Sequence, residues 1–178
     1  GREGIDGPVL AVKIDDTNAA HPQIGVEDAE IVYIEQVEAG LTRLAAIYST
    51  VIPQRIGPVR SARISDIDIL NQFGRVAFAY SGAQRKLLPV IAGANLEDLG
   101  AQRQSPTIYT TDPARRSPFA MVLRADLLMQ KIKDNNLPVD VAKSVGFVFG
   151  DLPKGGKPVQ QVVMNWPSAT YSAQWFEK

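Results

Sequence analysis

From Val9 to Ile14 every side chain is apolar except Lys13, and the run breaks into the polar Asp15-Asp16-Thr17-Asn18. A short apolar block of this kind predicts a strand covered on both faces, with polar groups gathered at its carboxyl end. Residues 19–25 contain Pro22 and Gly25 but no periodicity, and read as a loop. Residues 31–37 and 41–50 are rich in β-branched and aromatic side chains, and Glu38-Ala39-Gly40 between them supplies a turn, so the pair predicts an antiparallel hairpin. On its first arm Ile31, Tyr33, Glu35 and Val37 share a face. Glu35 therefore stands either at the sheet margin or buried beside a partner, because an isolated buried charge is expensive.

Further along, Ile64, Ile67, Leu70 and Phe73 fit a helix that stops near Gly74, with Ser65, Asp66 and Asp68 suited to its first turns. Residues 76–80 form a second apolar strand, which Ser81-Gly82 turns into a predicted helix over 83–92 that Pro89 should kink or shorten. Residues 95–118 read mostly as loop, with a short strand at 107–110. A helix is expected over 125–136 through Leu128 and Ile132, then a short strand at 147–149. Residues 151–158, with Gly155-Gly156 and two prolines, have linker composition, and two strands follow at 159–164 and 170–176, split by Trp166-Pro167-Ser168. Two strands alone make a poor independent unit, so this tail either completes the main sheet or opens a second domain. The expected organisation is a leader or linker over 1–7, a main domain over 8–150, a linker over 151–158 and the two-strand tail over 159–178. The fold class is α/β or α+β: a mixed sheet, since the hairpin must be antiparallel, flanked by helices.

Composition narrows the chemistry. The chain of 178 residues balances 19 basic against 19 acidic side chains, so no global field draws it to nucleic acid or an anionic bilayer. The absence of Cys excludes disulfides, thiolate metal sites and a cysteine nucleophile, and the single His21 excludes polyhistidine sites. No cofactor or metal is expected. No stretch reaches the roughly 20 apolar residues of a spanning helix.

The densest polar constellation is Arg55, Arg60 and Arg63 around Gly57-Pro58. Guanidinium forks here would grip an anion, or would pair with Asp15, Asp16, Glu35 or Glu38 and simply hold loops together. Asp15, Asp16 and Asn18 match no EF-hand pattern; they could bind a hard cation or supply a base, and an Asx turn closing the strand end is the plainer role. His21, the one group that titrates near neutrality, sits in a loop where hydrogen-bonding roles are commoner than catalytic ones. Ser81 follows a strand as hydrolase nucleophiles do, but Ala79-Tyr80-Ser81-Gly82-Ala83 lacks the first Gly of the nucleophile elbow. Arg85 and Lys86 read as a solvated face, and Trp166 and Trp175 as core or interface residues rather than stacking platforms.

The ordered motifs Val9-Leu10-Ala11-Val12-Lys13-Ile14-Asp15, His21-Pro22-Gln23, Ala29-Glu30-Ile31-Val32-Tyr33, Glu38-Ala39-Gly40-Leu41-Thr42-Arg43 and Ile56-Gly57-Pro58-Val59-Arg60-Ser61-Ala62-Arg63 resemble the YerB-like family of predicted bacterial lipoproteins, domain of unknown function 3048. The resemblance covers roughly residues 8–150. It implies a lipid-anchored protein outside the cytoplasmic membrane, touching the membrane only through an anchor absent from this chain, and a C-terminal domain of which residues 159–178 would be the start. Relatives tend to carry Pro-His-Asn where this chain has Pro118-Phe119-Ala120. The family brings no established reaction.

These readings combine into an envelope binding domain. A pocket at the strand ends, lined by Asp15, Asn18, His21, Glu35, Arg43, Arg60, Arg63 and Ser81, would take an anionic or carbohydrate small molecule, with Arg60 and Arg63 on the negative group. Two alternatives stand beside it: a hydrolase or lyase of cell-wall material with Asp15 or Glu35 as base, and an interaction module of a membrane-associated complex.

Overall fold

The apolar run after Pro8 becomes β1 (Leu10–Asp15), with all six residues buried, as a strand packed on both faces requires. The structure, a computed structural model, describes residues 6–148, 150–151 and 154–176. The expected hairpin forms as β2 (Ile31–Gln36) and β3 (Thr42–Tyr48), antiparallel in the register Ile31 opposite Ile47 through Gln36 opposite Thr42. After the two-residue β4 (Arg55–Ile56) come α1 (Ser65–Asn71), β5 (Val76–Ala79), α2 (Leu88–Gly93), β6 (Leu96–Asp98), β7 (Tyr109–Thr111), β8 (Met121–Arg124) and α3 (Ala125–Asp134). The main sheet has the order β2-β3-β1-β5-β6, antiparallel from β2 to β1 and parallel from β1 to β6. The mixed sheet expected from the sequence is thus present.

Alternation along the strands divides the core in two. Leu10, Val12, Ile14, Leu44, Ala46 and Tyr48 face a smaller sheet of order β4-β8-β7 and the buried stripe Ala125, Leu128 and Ile132 of α3. Val9, Ala11, Ile47 and Phe78 face the other way, against Leu70 of α1, the following Phe73, and Leu87 and Ile91 around α2. Burying a leucine such as Leu128 contributes about 1.5–3 kcal/mol, so the 3- and 4-residue spacing of that stripe is what fixes α3 on its sheet.

Several boundaries differ from expectation. α2 starts at Leu88, not residue 83, because the Gly82 carbonyl is taken by the Ala62 N–H and Pro89 sits in the first turn, where a missing N–H leaves no bond unmade. β6 lies within the stretch read as loop, and the 107–110 strand arrives as β7. No strand forms at Phe147 and Val148, both exposed, and Phe149 lies outside the described residues, as do 1–5, 152, 153, 177 and 178. Near the end of the chain β9 (Gln161–Asn165) and β10 (Thr170–Gln174) pair in a sheet of their own. This hairpin touches the main sheet at its turn: Pro167 lies against Gly40, Ser168 Oγ donates to the Gly40 carbonyl, and Tyr171 Oη donates to Thr42 Oγ1 at 2.7 Å.

Candidate functional site

β1 and β5 pair only from Leu10 to Val12 with Ala77 to Ala79. Beyond that point the segment 58–62 enters between them. The Asp15 N–H donates to the Pro58 carbonyl at 2.8 Å and the Arg60 N–H to the Lys13 carbonyl at 2.8 Å. On the other flank the Ser81 N–H donates to the Arg60 carbonyl at 3.0 Å and the Ala62 N–H to the Gly82 carbonyl at 2.9 Å. The arginine segment is therefore a wedge, bonded on both sides, at the carboxyl ends of two parallel strands. On β1 the neighbour changes from parallel to antiparallel, and such crevices are where α/β sheets hold ligands.

Beneath the wedge, on the α1 side of the sheet, lies a buried ionic layer. Lys13 Nζ pairs with Glu35 Oε1 and, at 2.7 Å, with Asp66 Oδ1. Ser65 Oγ donates to Glu35 Oε2 at 2.5 Å, and the Arg63 N–H to Asp66 Oδ2 at 2.6 Å. One ammonium thus faces two carboxylates away from bulk solvent. Burial pushes Asp66 up to about 6, further aided by the Glu35 charge and opposed by Lys13. This layer holds α1 and the arginine segment on the sheet, and it answers the question left by Glu35: the residue is buried with partners.

Above it the arginines converge. Arg43 stands between Glu35 and Asp15 in the strand register, is 8% exposed, and donates Nη1–H to the Ser61 carbonyl at 2.9 Å. Burial, then the neighbouring Arg63 and Arg60 guanidiniums, lower it to about 10. Arg60 Nε lies 2.8 Å from Asp15 Oδ2, off the line of its N–H, so this is an ion pair without a hydrogen bond. Asp15 Oδ1 accepts from the Thr17 N–H and hydroxyl at 2.8 and 2.6 Å, which is the Asx turn expected at the strand end. The Arg60 guanidinium carbon sits 5.9 Å from the centre of the Phe119 ring. Arg63 pairs with Glu38, Nε and Nη2 at 2.9 and 2.8 Å from Oε2, which lowers the Glu38 carboxyl.

Two clefts flank the wedge. One, of about 270 Å³, is lined by Arg60, Ser81, Thr111, Ser117, Pro118 and Met121 among others. The Ser81 hydroxyl and both Arg60 Nη groups carry no hydrogen bond to the described residues. The other, of about 240 Å³, is lined by Glu38, Arg63, Gln84, Lys86, Leu87 and Val90 among others.

Two of the sequence candidates lie apart. Asn18 is exposed on a short turn. His21 is half exposed, with Nε2 3.4 Å from Asp16 Oδ1 and 3.3 Å from Gln23 Nε2. Asp16 turns away from Asp15 and accepts from Thr42 Oγ1 and Gln23 Nε2; burial raises its pKa. His21 makes no bond to Ser81, so the serine–histidine pairing is not formed. Among the described residues no group of three or more His, Asp or Glu side chains is placed to hold a metal ion. The sequence reading missed Lys13 and Asp66 as the anchor of the site, although a lysine inside an apolar strand is the signal that such partners exist. It also missed Phe119, noted only as a departure from the family pattern.

The fold and the crevice define a three-layer α/β domain with a cationic segment wedged at its strand ends. Residues 2–138 match the family described as Protein of unknown function (DUF3048) N-terminal domain, and the chain belongs to that family. Over 73 residues it is 36% identical to the Bacillus subtilis (strain 168) protein named "Putative lipoprotein YerB", a match covering 41% of this chain and 22% of that protein. The crystal structure of YerB protein from Bacillus subtilis superposes with a TM-score of 0.70 at 20% identity, covering 77% of this chain and 48% of that one. The matched region thus spans about half the length of that solved relative.

Proposed function

We propose that this domain binds an anionic or sugar-containing small molecule in the Arg60 cleft, on the outer side of a bacterial cytoplasmic membrane, as part of a protein held there by a lipid anchor. The location rests on the lipoprotein name of the relative. The binding reading rests on one observation: Arg60 lines a cleft with its Nε beside Asp15 and its guanidinium carbon near the Phe119 ring, and no described residue accepts a hydrogen bond from its Nη groups. A fork held this way matches a carboxylate or phosphate edge. Ser81, Thr111 and Ser117 supply hydroxyls for a sugar or polyol, and Arg43 adds a second positive charge close by. Glu35 and Asp15 act as supports, since their oxygens are committed to Lys13, Ser65, Thr17 and Arg60.

Titration calorimetry with galacturonate, with glucose as the neutral control, tests the reading. Galacturonate should bind and glucose should not, and Arg60→Ala should weaken galacturonate at least 10-fold while the unfolding midpoint stays within a few degrees. Equal binding by Arg60→Ala, or binding by neither sugar, overturns it.

A further inference from the structure

The cleft beside Arg60 takes most of its wall from β7, β8 and the loop that joins them: five of its eight lining residues lie between Thr111 and Met121. The base of that loop is tied down, with the Asp112 N–H on the Ala120 carbonyl at 2.7 Å and the Val59 N–H on the Met121 carbonyl at 2.8 Å. Its tip is shaped from within, by the Arg115 N–H on the Asp112 carbonyl at 3.1 Å and the Phe119 N–H on the Arg116 carbonyl at 2.9 Å. None of these inner bonds fixes the tip to the rest of the domain, and Pro113, Ala114, Arg116, Ser117 and Pro118 are exposed.

Arg115 is the exception. Its side chain is 16% exposed, with Nε 3.4 Å from Asp112 Oδ2. Nη1–H donates to the Ala20 carbonyl at 2.7 Å and Nη2–H to the Pro22 carbonyl. Among the described residues these are the only hydrogen bonds that leave residues 113–119 for a segment outside the loop. The receiving segment is itself held, since Ile24 and Gly57 exchange N–H to carbonyl bonds at 2.7 and 3.0 Å and Gly57 leads straight into the wedge. One guanidinium therefore joins the cleft wall to the frame that carries Arg60.

We propose that Arg115 is a positioning residue for the Arg60 cleft: by bridging to Ala20 and Pro22 it holds the loop where Ser117, Pro118 and the Phe119 ring stand beside the Arg60 guanidinium. This deepens the single-cleft reading above and rests on it. Arg115 does not line the cleft, and its fork is committed to the two carbonyls, so its effect on a ligand passes through the loop. A planar fork on two acceptors sets orientation as well as distance, which the point charge of a lysine does not.

Calorimetry with galacturonate on the intact chain, at about 50 and about 500 mM NaCl, tests the role, because long-range attraction is screened by salt and geometry is not. Arg115→Ala should weaken binding by about 5-fold or more at both salt concentrations. Arg116→Ala removes the same charge from an exposed neighbour and should change affinity less than about 2-fold. Arg115→Lys keeps the charge without the fork and should bind more weakly than the wild type; it carries the comparison if Arg115→Ala fails to fold. The Arg60 guanidinium carbon lies 5.9 Å from the Phe119 ring centre, so the Arg60 Nε–H resonance should shift in Arg115→Ala and keep its place in Arg116→Ala. An unmoved resonance, a loss that vanishes at high salt, an equal loss in Arg116→Ala, or Arg115→Lys indistinguishable from the wild type overturns the inference while the Arg60 cleft stands. Absence of galacturonate binding by the unaltered chain removes the Arg60 reading itself.

Discussion

Lys13 and Asp66 meet where no water reaches: Nζ lies 2.7 Å from Oδ1, and neither side chain has any exposed surface. Glu35 is the third member, and the three tie β1, β2 and α1 to one point. Lys13→Met leaves two carboxylates buried without a cation and should destabilise the domain by about 3–5 kcal/mol in urea unfolding. Replacing all three by Met, Leu and Leu should recover most of that loss, because an apolar layer of similar volume needs no charge partner. A triple variant as unstable as Lys13→Met alone would show that the layer's ions contribute net stability.

The same layer sets a pH dependence. Folding raises Asp66 from 3.8 to about 6, so the folded state holds its proton more tightly than the unfolded chain. The resulting stabilisation is full below about pH 4 and fades as pH rises through about 6. Asp66→Asn has no proton to lose. Its stability relative to the wild type should therefore improve between pH 4 and pH 7 by an amount on the order of 1–3 kcal/mol. Denaturation curves at the two pH values decide the matter, and a constant difference would contradict the shift.

Gly100 is constrained by space, not by backbone angle. Its φ of −58° suits any residue, but a Cβ would sit 2.6 Å from Tyr80 Cζ. Tyr80 is only 3% exposed and donates to Asp98 Oδ1 at 2.8 Å, so the ring has little room to retreat. Gly100→Ala should destabilise by about 1–3 kcal/mol. Adding Tyr80→Leu should make the double variant less damaged than the sum of the singles, and strict additivity would count against the steric account.

Tyr171→Phe deletes the hydroxyl that donates to Thr42 Oγ1, one of the contacts between β9–β10 and the main sheet. A local loss of about 0.5–1.5 kcal/mol is expected. Amide exchange should speed up within residues 161–174 and stay unchanged in β1 and β3. Unaltered exchange in the hairpin would mean that Pro167 and Ser168 hold it alone.

Much of this architecture was legible in the residue pattern. The β2–β3 hairpin followed from two β-branched runs around Glu38-Ala39-Gly40, and α3 from the spacing of Leu128 and Ile132. β6 was not legible, since Leu96-Glu97-Asp98 is too short to show alternation. The ends of α2 were hidden because they depend on a bond between Ala62 and Gly82, twenty residues apart. Within the site, Asp15, Glu35, Arg43, Arg60, Arg63 and Ser81 do gather at one end of the sheet. The partition among them was not readable, because Lys13 finds Asp66 across 53 positions of sequence. His21 and Asn18 were drawn to the site by closeness to Asp15 along the chain. After Asp15 the chain turns, leaving Asn18 exposed on a short 3-10 turn and His21 beside Asp16 and Gln23.

Because residues 58–62 are stitched to β1 on one flank and to Ser81 and Gly82 on the other, the backbone position of Arg60 is inherited from the sheet. The backbone that carries that cation is ordered when the polypeptide folds, so its share of the ordering entropy would not fall on ligand binding. A ligand of the kind proposed would therefore meet a pre-ordered backbone, which should keep its shape to within about 1 Å whether vacant or filled.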